Sequence, residues 1–130
     1  MPGFDIKQTP DALTERVIGA AIEVHRQLGP GLLESVYVVA LEHELLARGV
    51  SFSSEVLLPI QYKGTMLDGA LRIDLLVENA LIVELKSVDA VLPVHCSQVL
   101  TYLRIGGFSR ALLINFNVSV LVNGVRRFVI

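Results

Sequence analysis

Apolar residues recur every three or four positions over two stretches near the N-terminus, which is the spacing of helices that bury one face. The apolar face of the first predicted helix carries Leu13, Val17, Ala20, Ala21, Val24 and Leu28. Pro and Asp at residues 10–11 suit its start, and Gly-Pro-Gly at residues 29–31 suits its end. The second helix is predicted over residues 33–48, with Gly49 as its C-terminal cap.

The pattern then changes to short apolar runs and alternation, which predict strands. Three strands are expected, over residues 51–62, 66–77 and 81–87. Lys63-Gly64 is the expected turn between the first two. The first strand is expected at an edge of the sheet because Pro59 has no N–H to donate.

Helical spacing returns over residues 93–105, and the remaining sequence predicts strands again. Three further strands are expected, over residues 110–116, 119–122 and 125–130, with a turn at residues 123–124. The order ααβββαβββ predicts an α/β (α+β) fold, a mixed β-sheet flanked by helices. Residues 11–130 are expected to form one domain, and residues 1–10 a flexible lead-in.

Three charges interrupt the apolar sequence DLLVENALIVELK at residues 74–86. Asp74 precedes one apolar run, and Glu84 and Lys86 flank Leu85 in the next. Because side chains alternate between the faces of a strand, the first strand is expected to have an apolar face and a mixed face. The apolar face would carry Leu71, Ile73, Leu75 and Val77, and the mixed face Arg72, Asp74 and Leu76. A buried unpaired charge is costly, so the three charged side chains need partners.

The loop between the two strands decides whether the carboxylates meet. A two-residue turn at residues 79–80 pairs Asp74 with Leu85 and sends the carboxylates to opposite sides. A three-residue loop at residues 78–80 pairs Asp74 with Glu84 instead. Carboxylates that meet repel each other unless a cation lies between them, and oxygen ligands suit Mg²⁺ or Mn²⁺.

Lys86 lies two residues after Glu84, so both side chains are expected on the same face of the strand. There Lys86 is placed to hold an attacking water or to neutralise charge that develops on a phosphate. The alternative is an ordinary salt bridge between Lys86 and Asp74 or Glu84 on a half-exposed sheet.

Three short motifs resemble those of known nucleases. Asp74 followed by Glu84-Leu85-Lys86 resembles the core of the PD-(D/E)XK nuclease superfamily. QVLTY at residues 98–102 is similar to the QxxxY motif of its RecB-like and lambda-exonuclease-like branches. GLLESVY at residues 31–37 resembles the signature of the GxxExxY protein family, which is assigned to that superfamily. The resemblance extends over residues 13–128.

The resemblance implies a restriction-endonuclease-like core with a divalent metal site. Asp74 and Glu84 would bind Mg²⁺ or Mn²⁺, together with the Leu85 carbonyl. Glu34 would approach the metal from its helix, and Lys86 would be the catalytic lysine. In the same resemblance, Gln98 and Tyr102 orient the lysine, a water or a phosphate.

The sequence departs from some relatives at two points. Ile73 stands before Asp74 where the motif has proline, a tolerated variation. Cys96 is the only cysteine, so neither an iron–sulfur cluster nor a disulfide within one chain is expected. A single cysteine fits a cytoplasmic protein, and the N-terminal sequence lacks the pattern of a signal peptide.

Several candidates also have purely structural interpretations. The carboxylate of Glu34 is favoured by a helix N-terminus as well as by a metal, and the Gln98–Tyr102 pair is also typical of a buried tyrosine beside a polar neighbour. His95 is a candidate phosphate contact, although a local hydrogen bond at the helix start explains it more simply. Tyr37 and Arg72 are further candidates for substrate contact.

Composition and charge limit the partners. Hydrophobic residues make up 52% of the chain, which favours a homo-oligomer that covers an apolar face. The net charge of −2 provides no global basic field for nucleic acid, so phosphate contacts must be local. Local candidates are Arg104, Arg110, Arg126 and Arg127, which a solvated sheet edge also explains. The longest apolar runs are too short to cross a membrane.

The leading hypothesis is a nuclease that uses Mg²⁺ or Mn²⁺ to hydrolyse nucleic acid, with DNA favoured over RNA as the substrate. A second hypothesis is an oligomeric binding module on the nuclease fold that is catalytically silent or needs a partner. A hydrolase of nucleotides or small phosphate esters is a third, because the same site chemistry serves it.

Overall fold

The described residues form helices on both faces of one sheet. The computed structural model describes residues 11–130, apart from the side chain of Ala70, so the flexible lead-in predicted over residues 1–10 lies outside it. The elements in chain order are α1 (Ala12–Leu28), α2 (Glu34–Ala47), β1 (Phe52–Tyr62), β2 (Thr65–Val77), β3 (Leu81–Lys86), α3 (Pro93–Gly106), β4 (Arg110–Asn115), a 3₁₀ helix (Leu121–Gly124) and β5 (Val125–Val129).

The strands lie in the order β1-β2-β3-β4-β5. β3 and β4 are parallel and are connected through α3, whereas the other neighbouring strands are antiparallel. The predicted mixed sheet flanked by helices is confirmed, as is the edge position of the strand that contains Pro59. None of the helices within residues 11–130 is long and apolar enough to span a bilayer.

The strand predicted over residues 119–122 is wrong, and the order within the described chain is ααβββαββ. A 3₁₀ helix, Leu121–Gly124, follows β4 instead. The short apolar run buries only Leu121, while Val120 and Val122 remain mostly exposed. Gly124 holds this turn against the end of β4, because a Cβ at Gly124 would lie 2.1 Å from the Asn115 carbonyl oxygen. The segment therefore packs against β4 as a 3₁₀ helix and does not pair with it as a strand.

Two apolar cores lie on opposite faces of the sheet. The first is covered by α1 and α2, and Tyr37, Leu41 and Leu45 of α2 are buried there at helical spacing. The second is covered by α3. β3 lies between the two cores and is buried from Leu81 to Leu85, which is typical of a central strand covered on both faces. The apolar character of β3 thus carries Glu84 into the interior.

Candidate active site

The hairpin between β2 and β3 has the register that brings the two acids together. Val77 pairs with Leu81 and Leu75 pairs with Val83, so residues 78–80 form a three-residue loop. Glu78 and Asn79 have left-handed backbone conformations, with φ of 53° and 55°. The structure thus has the three-residue loop of the two alternatives, and continuing the register places Asp74 opposite Glu84.

Hydrogen bonds to the two carboxylates take the place of backbone pairing where β2 and β3 separate. Backbone pairing of β2 with β3 ends at Leu75 and Val83. Beyond that point, the Asp74 N–H donates to Glu84 Oε2 at 2.6 Å, and the Leu85 N–H donates to Asp74 Oδ2 at 2.9 Å. Each acid therefore satisfies a backbone donor on the opposite strand, which is why a buried hairpin tolerates both.

Side-chain facing reverses at Asp74, so the strict alternation expected over residues 71–77 is wrong. Ile73 packs in the α3 core, whereas Leu75 packs in the core covered by α1 and α2. The neighbouring strand reverses at the same level, because Phe52 packs with the α1 and α2 core and Val56 with the α3 core. A regular strand would place residues an even number apart on the same face.

Glu55 marks the reversal in β1. Ser54 pairs with Leu75 and Val56 with Ile73, which leaves Glu55 opposite Asp74 without a paired ladder position. The backbone of Glu55 is left-handed, with φ of 50°, which is uncommon for a residue other than glycine. The paired ladder of β1 and β2 is therefore interrupted at Glu55 and Asp74.

Burial and mutual repulsion dominate the electrostatics of the acid pair. Glu84 is only 4% exposed. Burial raises the pKa of Glu84 to about 8, and the Asp74 carboxylate adds to the rise. Burial also raises the pKa of Asp74, although the Leu85 N–H and the charges of Arg72 and Lys86 oppose the shift. Without a cation, Glu84 is therefore largely protonated at neutral pH.

Asp74 also borders a groove between α2 and the β1–β2 pair. The groove has a volume of about 600 Å³ and is lined by Leu33, Glu34, Ser35, Val38, Val39, Glu42, Glu55, Arg72 and Asp74. Glu34, the first residue of α2, is half-buried. Burial and the Asp74 charge raise the pKa of Glu84 most, and the charge of Glu34 makes a smaller contribution in the same direction. The approach of Glu34 to a bound metal stays a prediction.

The acid pair fits a divalent cation in its chemistry. Asp74 and Glu84 offer hard oxygen donors, and a positive ion between them would relieve the repulsion that raises their pKa values. Within residues 11–130 no three His, Cys, Asp or Glu side chains form a metal-binding cluster, so Glu34 does not complete one with the pair. The Leu85 group that contacts Asp74 is its N–H. Metal binding by Leu85 and Glu34 stays a prediction.

Lys86 ends β3 beside the acids. It is half-buried, and its positive charge lowers the pKa of both Asp74 and Glu84 against the effect of burial. It forms no ion pair with either of these carboxylates, so the simple salt-bridge interpretation is not what the structure contains. Its backbone carbonyl accepts a hydrogen bond from Phe116 N–H at 2.9 Å, which fixes the strand end.

Tyr102 and Gln98 of α3 have different environments. Tyr102 is buried, and its pKa is raised by burial and then by the charges of Glu84 and Asp74, which shows that the phenol lies near the acid pair. Gln98, one turn earlier, is exposed. The structure thus brings Tyr102 to the acids and leaves Gln98 at the surface.

His95 makes the local hydrogen bond that the simpler interpretation predicts. Its Nδ1 accepts from the Leu92 N–H at 3.0 Å at the start of α3. This contact caps a backbone donor that the helix leaves unpaired.

Tyr37 has a structural position, and its assignment as a substrate contact is wrong. The side chain is fully buried, so a bound substrate has no access to it. Its hydroxyl donates to the Gly29 carbonyl at 2.6 Å and accepts from the Leu32 N–H at 3.2 Å. Its ring stacks on Phe116 with centroids 4.4 Å apart. Tyr37 therefore fixes the loop that leads into Glu34.

Three arginines of the suggested patch are divided between the two faces of the sheet. Arg110 pairs with Asp11 at 2.8 Å and Arg127 pairs with Glu15 at 2.5 Å, both next to the start of α1. Arg126 points to the other face, where its guanidinium lies 3.5 Å from Cys96 Sγ. The adjacent arginines take opposite faces, as strand alternation requires.

Two residues near the site were not singled out by sequence reasoning. Glu55 forms an ion pair with Arg72 at 2.8 Å on the rim of the groove. Asn115 is buried at the end of β4, and its side chain bonds to both the N–H and the carbonyl of Val88. Asn115 thereby fixes the loop after Lys86, and the only signal for it was a polar residue within an apolar strand.

A mixed sheet with two acids and a lysine on its central hairpin is the arrangement of a restriction-endonuclease-like fold. The family model of the PD-(D/E)XK nuclease superfamily matches residues 11–128, and the chain belongs to this superfamily. Membership suggests a nuclease-type function, and members of the superfamily generally use divalent metal ions. Searches of curated proteins and of solved structures find no match.

Proposed function

We propose that this protein is a nuclease that hydrolyses phosphodiester bonds of nucleic acid with Mg²⁺ or Mn²⁺. The observation that carries the proposal is the cross-strand pair of Asp74 and Glu84, in which Glu84 is buried, Asp74 is half-buried and their carboxylates repel each other. Perturbed carboxylates beside a groove are typical of functional sites. The superfamily supplies the reaction class.

In this proposal Asp74 and Glu84 hold the metal ion, and Glu34 and the Leu85 carbonyl supplement them. The ion supplies Lewis-acid activation of a phosphoryl oxygen and of a water. Lys86 stabilises negative charge beside the acid pair, since it already exerts a positive potential there. Tyr102, buried next to the acids, orients Lys86 or a phosphate, and the exposed Gln98 contacts the substrate from α3.

The substrate is held locally rather than by a global field. Arg72 lines the groove with Asp74 and is the proposed phosphate contact. The ring of His95 keeps its other nitrogen for a similar role. DNA is favoured over RNA, and the single cysteine favours a cytoplasmic site of action. We also propose that, within the superfamily, the chain belongs to the GxxExxY family and to the RecB-like branch.

Cleavage assays test the proposal directly. The wild type is expected to cut labelled DNA in Mg²⁺ or Mn²⁺, and Lys86→Ala is expected to lower the rate about 100-fold or more, the range for loss of one electrostatic contributor. Lys63→Ala, at the exposed β1–β2 turn, is the matched control and is expected to cut normally. An inactive wild type, or a Lys86→Ala variant as fast as wild type, would refute the assignment. Cleavage of nucleotides but not of polymers would identify a small phosphate-ester hydrolase.

A second candidate is an oligomeric binding module, and the surface of α2 favours it. Leu33 and Val39, which line the groove, are 75% and 53% exposed, and Leu46 near the end of α2 is 65% exposed. Contiguous exposed apolar surface is typical of interaction sites. Light scattering on the wild type and on Leu46→Glu tests this, with Leu57→Glu on β1 as the control. A wild type that is monomeric at all concentrations would contradict it.

A further inference from the structure

We propose that Glu55 competes with the phosphate of a bound nucleic acid for the Arg72 guanidinium. The inference rests on the proposed function, since it assigns the substrate phosphate to Arg72. It adds a residue outside the recognised motifs that sets how readily the groove accepts a polyanion. Glu55 acts as a positioning residue, through Arg72, and not on the reacting atoms.

The geometry of the ion pair fixes Arg72 through one nitrogen and leaves its other N–H donors for a phosphate. Arg72 Nη1 lies 2.8 Å from Glu55 Oε1, and this single contact engages one nitrogen of the guanidinium. A guanidinium has five N–H donors, so the remaining ones can reach a phosphate without displacing the arginine from the groove. Carboxylate and phosphate bind the same fork of donors and therefore compete.

The pair is also weak enough to exchange. The side chains of Arg72 and Glu55 are 57% and 69% exposed. Exposed ion pairs change an equilibrium constant by no more than about fivefold. A phosphate that enters the groove can therefore take over Arg72 at small cost, and Glu55 recaptures the arginine when the phosphate leaves.

The surroundings make this competition important. Among the described residues that line the groove, Arg72 is the cation, while Glu34, Glu42, Glu55 and Asp74 are acidic. A polyanion entering this groove meets one positive side chain, and that side chain is already neutralised by Glu55. The charge of Glu55 thus opposes phosphate binding more directly than the other acids do.

The backbone supports a specific placement of Glu55. Its φ of 50° is a conformation that residues other than glycine rarely adopt. At this point β1 reverses the facing of its side chains opposite Asp74. Backbone strain of this kind persists only where the surrounding structure enforces it. The reversal brings the Glu55 carboxylate to the groove side, where Arg72 and Asp74 lie.

A double-mutant cycle tests the inference. Binding of a fluorescein-labelled single-stranded oligodeoxynucleotide is measured by anisotropy, with Ca²⁺ replacing Mg²⁺ so that the probe stays intact. Glu55→Gln is expected to tighten binding about two- to fivefold, and Arg72→Gln to weaken it. Glu55→Gln in the Arg72→Gln background is expected to have no effect on binding, because the guanidinium for which Glu55 and the phosphate compete is then absent. In steady-state cleavage, Glu55→Gln is expected to lower KM and leave kcat unchanged.

Glu42→Gln is the matched control. It removes a carboxylate from the same groove, but Glu42 bonds to the Ser54 hydroxyl and not to Arg72. A gain equal to that of Glu55→Gln would assign the effect to overall charge and overturn the inference. The inference also fails if Glu55→Gln binds no more tightly than wild type, if its gain persists without Arg72, or if no variant binds.

Cleavage by the wild type, measured separately, distinguishes this result from the fate of the proposed function. Cleavage with unchanged binding by Glu55→Gln overturns the inference alone. Tighter binding by Glu55→Gln without any cleavage removes the nuclease proposal and keeps the competition for Arg72.

Discussion

Replacement of Glu84 by glutamine is expected to stabilise the metal-free protein in alkaline solution and to abolish its stabilisation by divalent metal. The folded protein holds the Glu84 proton up to a pKa of about 8, compared with 4.5 for an ordinary glutamate. The folded state therefore binds more protons than the unfolded state between these values, and stability falls as pH rises through this window. Above about pH 8 the loss is complete.

The size of the effect follows from the same two values. Each pKa unit corresponds to about 1.4 kcal/mol, so the shift from 4.5 to about 8 corresponds to roughly 5 kcal/mol. That is a large part of the 5–15 kcal/mol that stabilises a typical domain, roughly a third or more. Glutamine does not titrate, and its carbonyl oxygen can accept the Asp74 N–H as Glu84 does.

Urea unfolding from about pH 5 to about pH 9 in EDTA, repeated with Mn²⁺, is the assay for this prediction. Glu84→Gln is expected to match wild type near pH 5 and to exceed it by several kcal/mol near pH 9, up to roughly the 5 kcal/mol of the pKa shift. Mn²⁺ is expected to stabilise wild type and not the variant.

Glu78 provides the control for the titration. It lies in the loop of the same hairpin, and hydrogen bonds from Ser51 lower its pKa, which is the opposite direction from Glu84. Glu78→Gln is therefore expected to keep the wild-type loss of stability between about pH 5 and about pH 8, the window set by Glu84. A wild type whose stability is constant across this window in EDTA would refute the reasoning, as would a Glu84→Gln variant with the wild-type slope.

Three further substitutions test the packing around the site by urea unfolding. Gly124→Ala should cost at least about 1–3 kcal/mol, because its Cβ would lie 2.1 Å from the Asn115 carbonyl oxygen; wild-type stability would contradict the close approach. Tyr37→Phe should cost about 1–2 kcal/mol by removing the hydroxyl that donates to the Gly29 carbonyl while keeping the stacked ring; an unchanged midpoint would count against that bond. Asn115→Ala should cost about 1–3 kcal/mol, since both backbone groups of Val88 lose their partner; a loss well below this range would mean that water replaces the amide.

The sequence predicted the elements whose patterns are local and long. The helix faces followed from periodicity, which neighbouring residues determine, whereas the sequence left open whether the hairpin loop has two or three residues. The prediction of a strand over residues 119–122 was wrong because a short apolar run does not indicate which other strand it would pair with. Leu121, its buried side chain, packs in the core that α1 and α2 cover. The close approach of Gly124 is to the carbonyl oxygen of Asn115, nine residues earlier in the chain.

Features of the site that depend on two strands at once could not be predicted in the same way. The reversal at Asp74 occurs where Glu55, on another strand, has a left-handed backbone, and nothing in either sequence segment alone specifies it. The role of Tyr37 was misjudged for a related reason. Its partners are the Gly29 carbonyl and the Phe116 ring, and the latter is distant in sequence. A motif identifies a residue type at a position but not the groups around it.

The hydrogen bonds of the two acids are compatible both with a stable hairpin and with the proposed metal site. Each carboxylate uses one oxygen, Glu84 Oε2 or Asp74 Oδ2, to accept a backbone N–H from the opposite strand. A carboxylate has two oxygens and about four lone-pair sites, so the second oxygen of each group stays available for a cation. Hydrogen bonds that orient a ligand in this way reduce the reorganisation needed when a metal binds. The backbone contacts that hold the two acids in place therefore also orient them for the proposed ion.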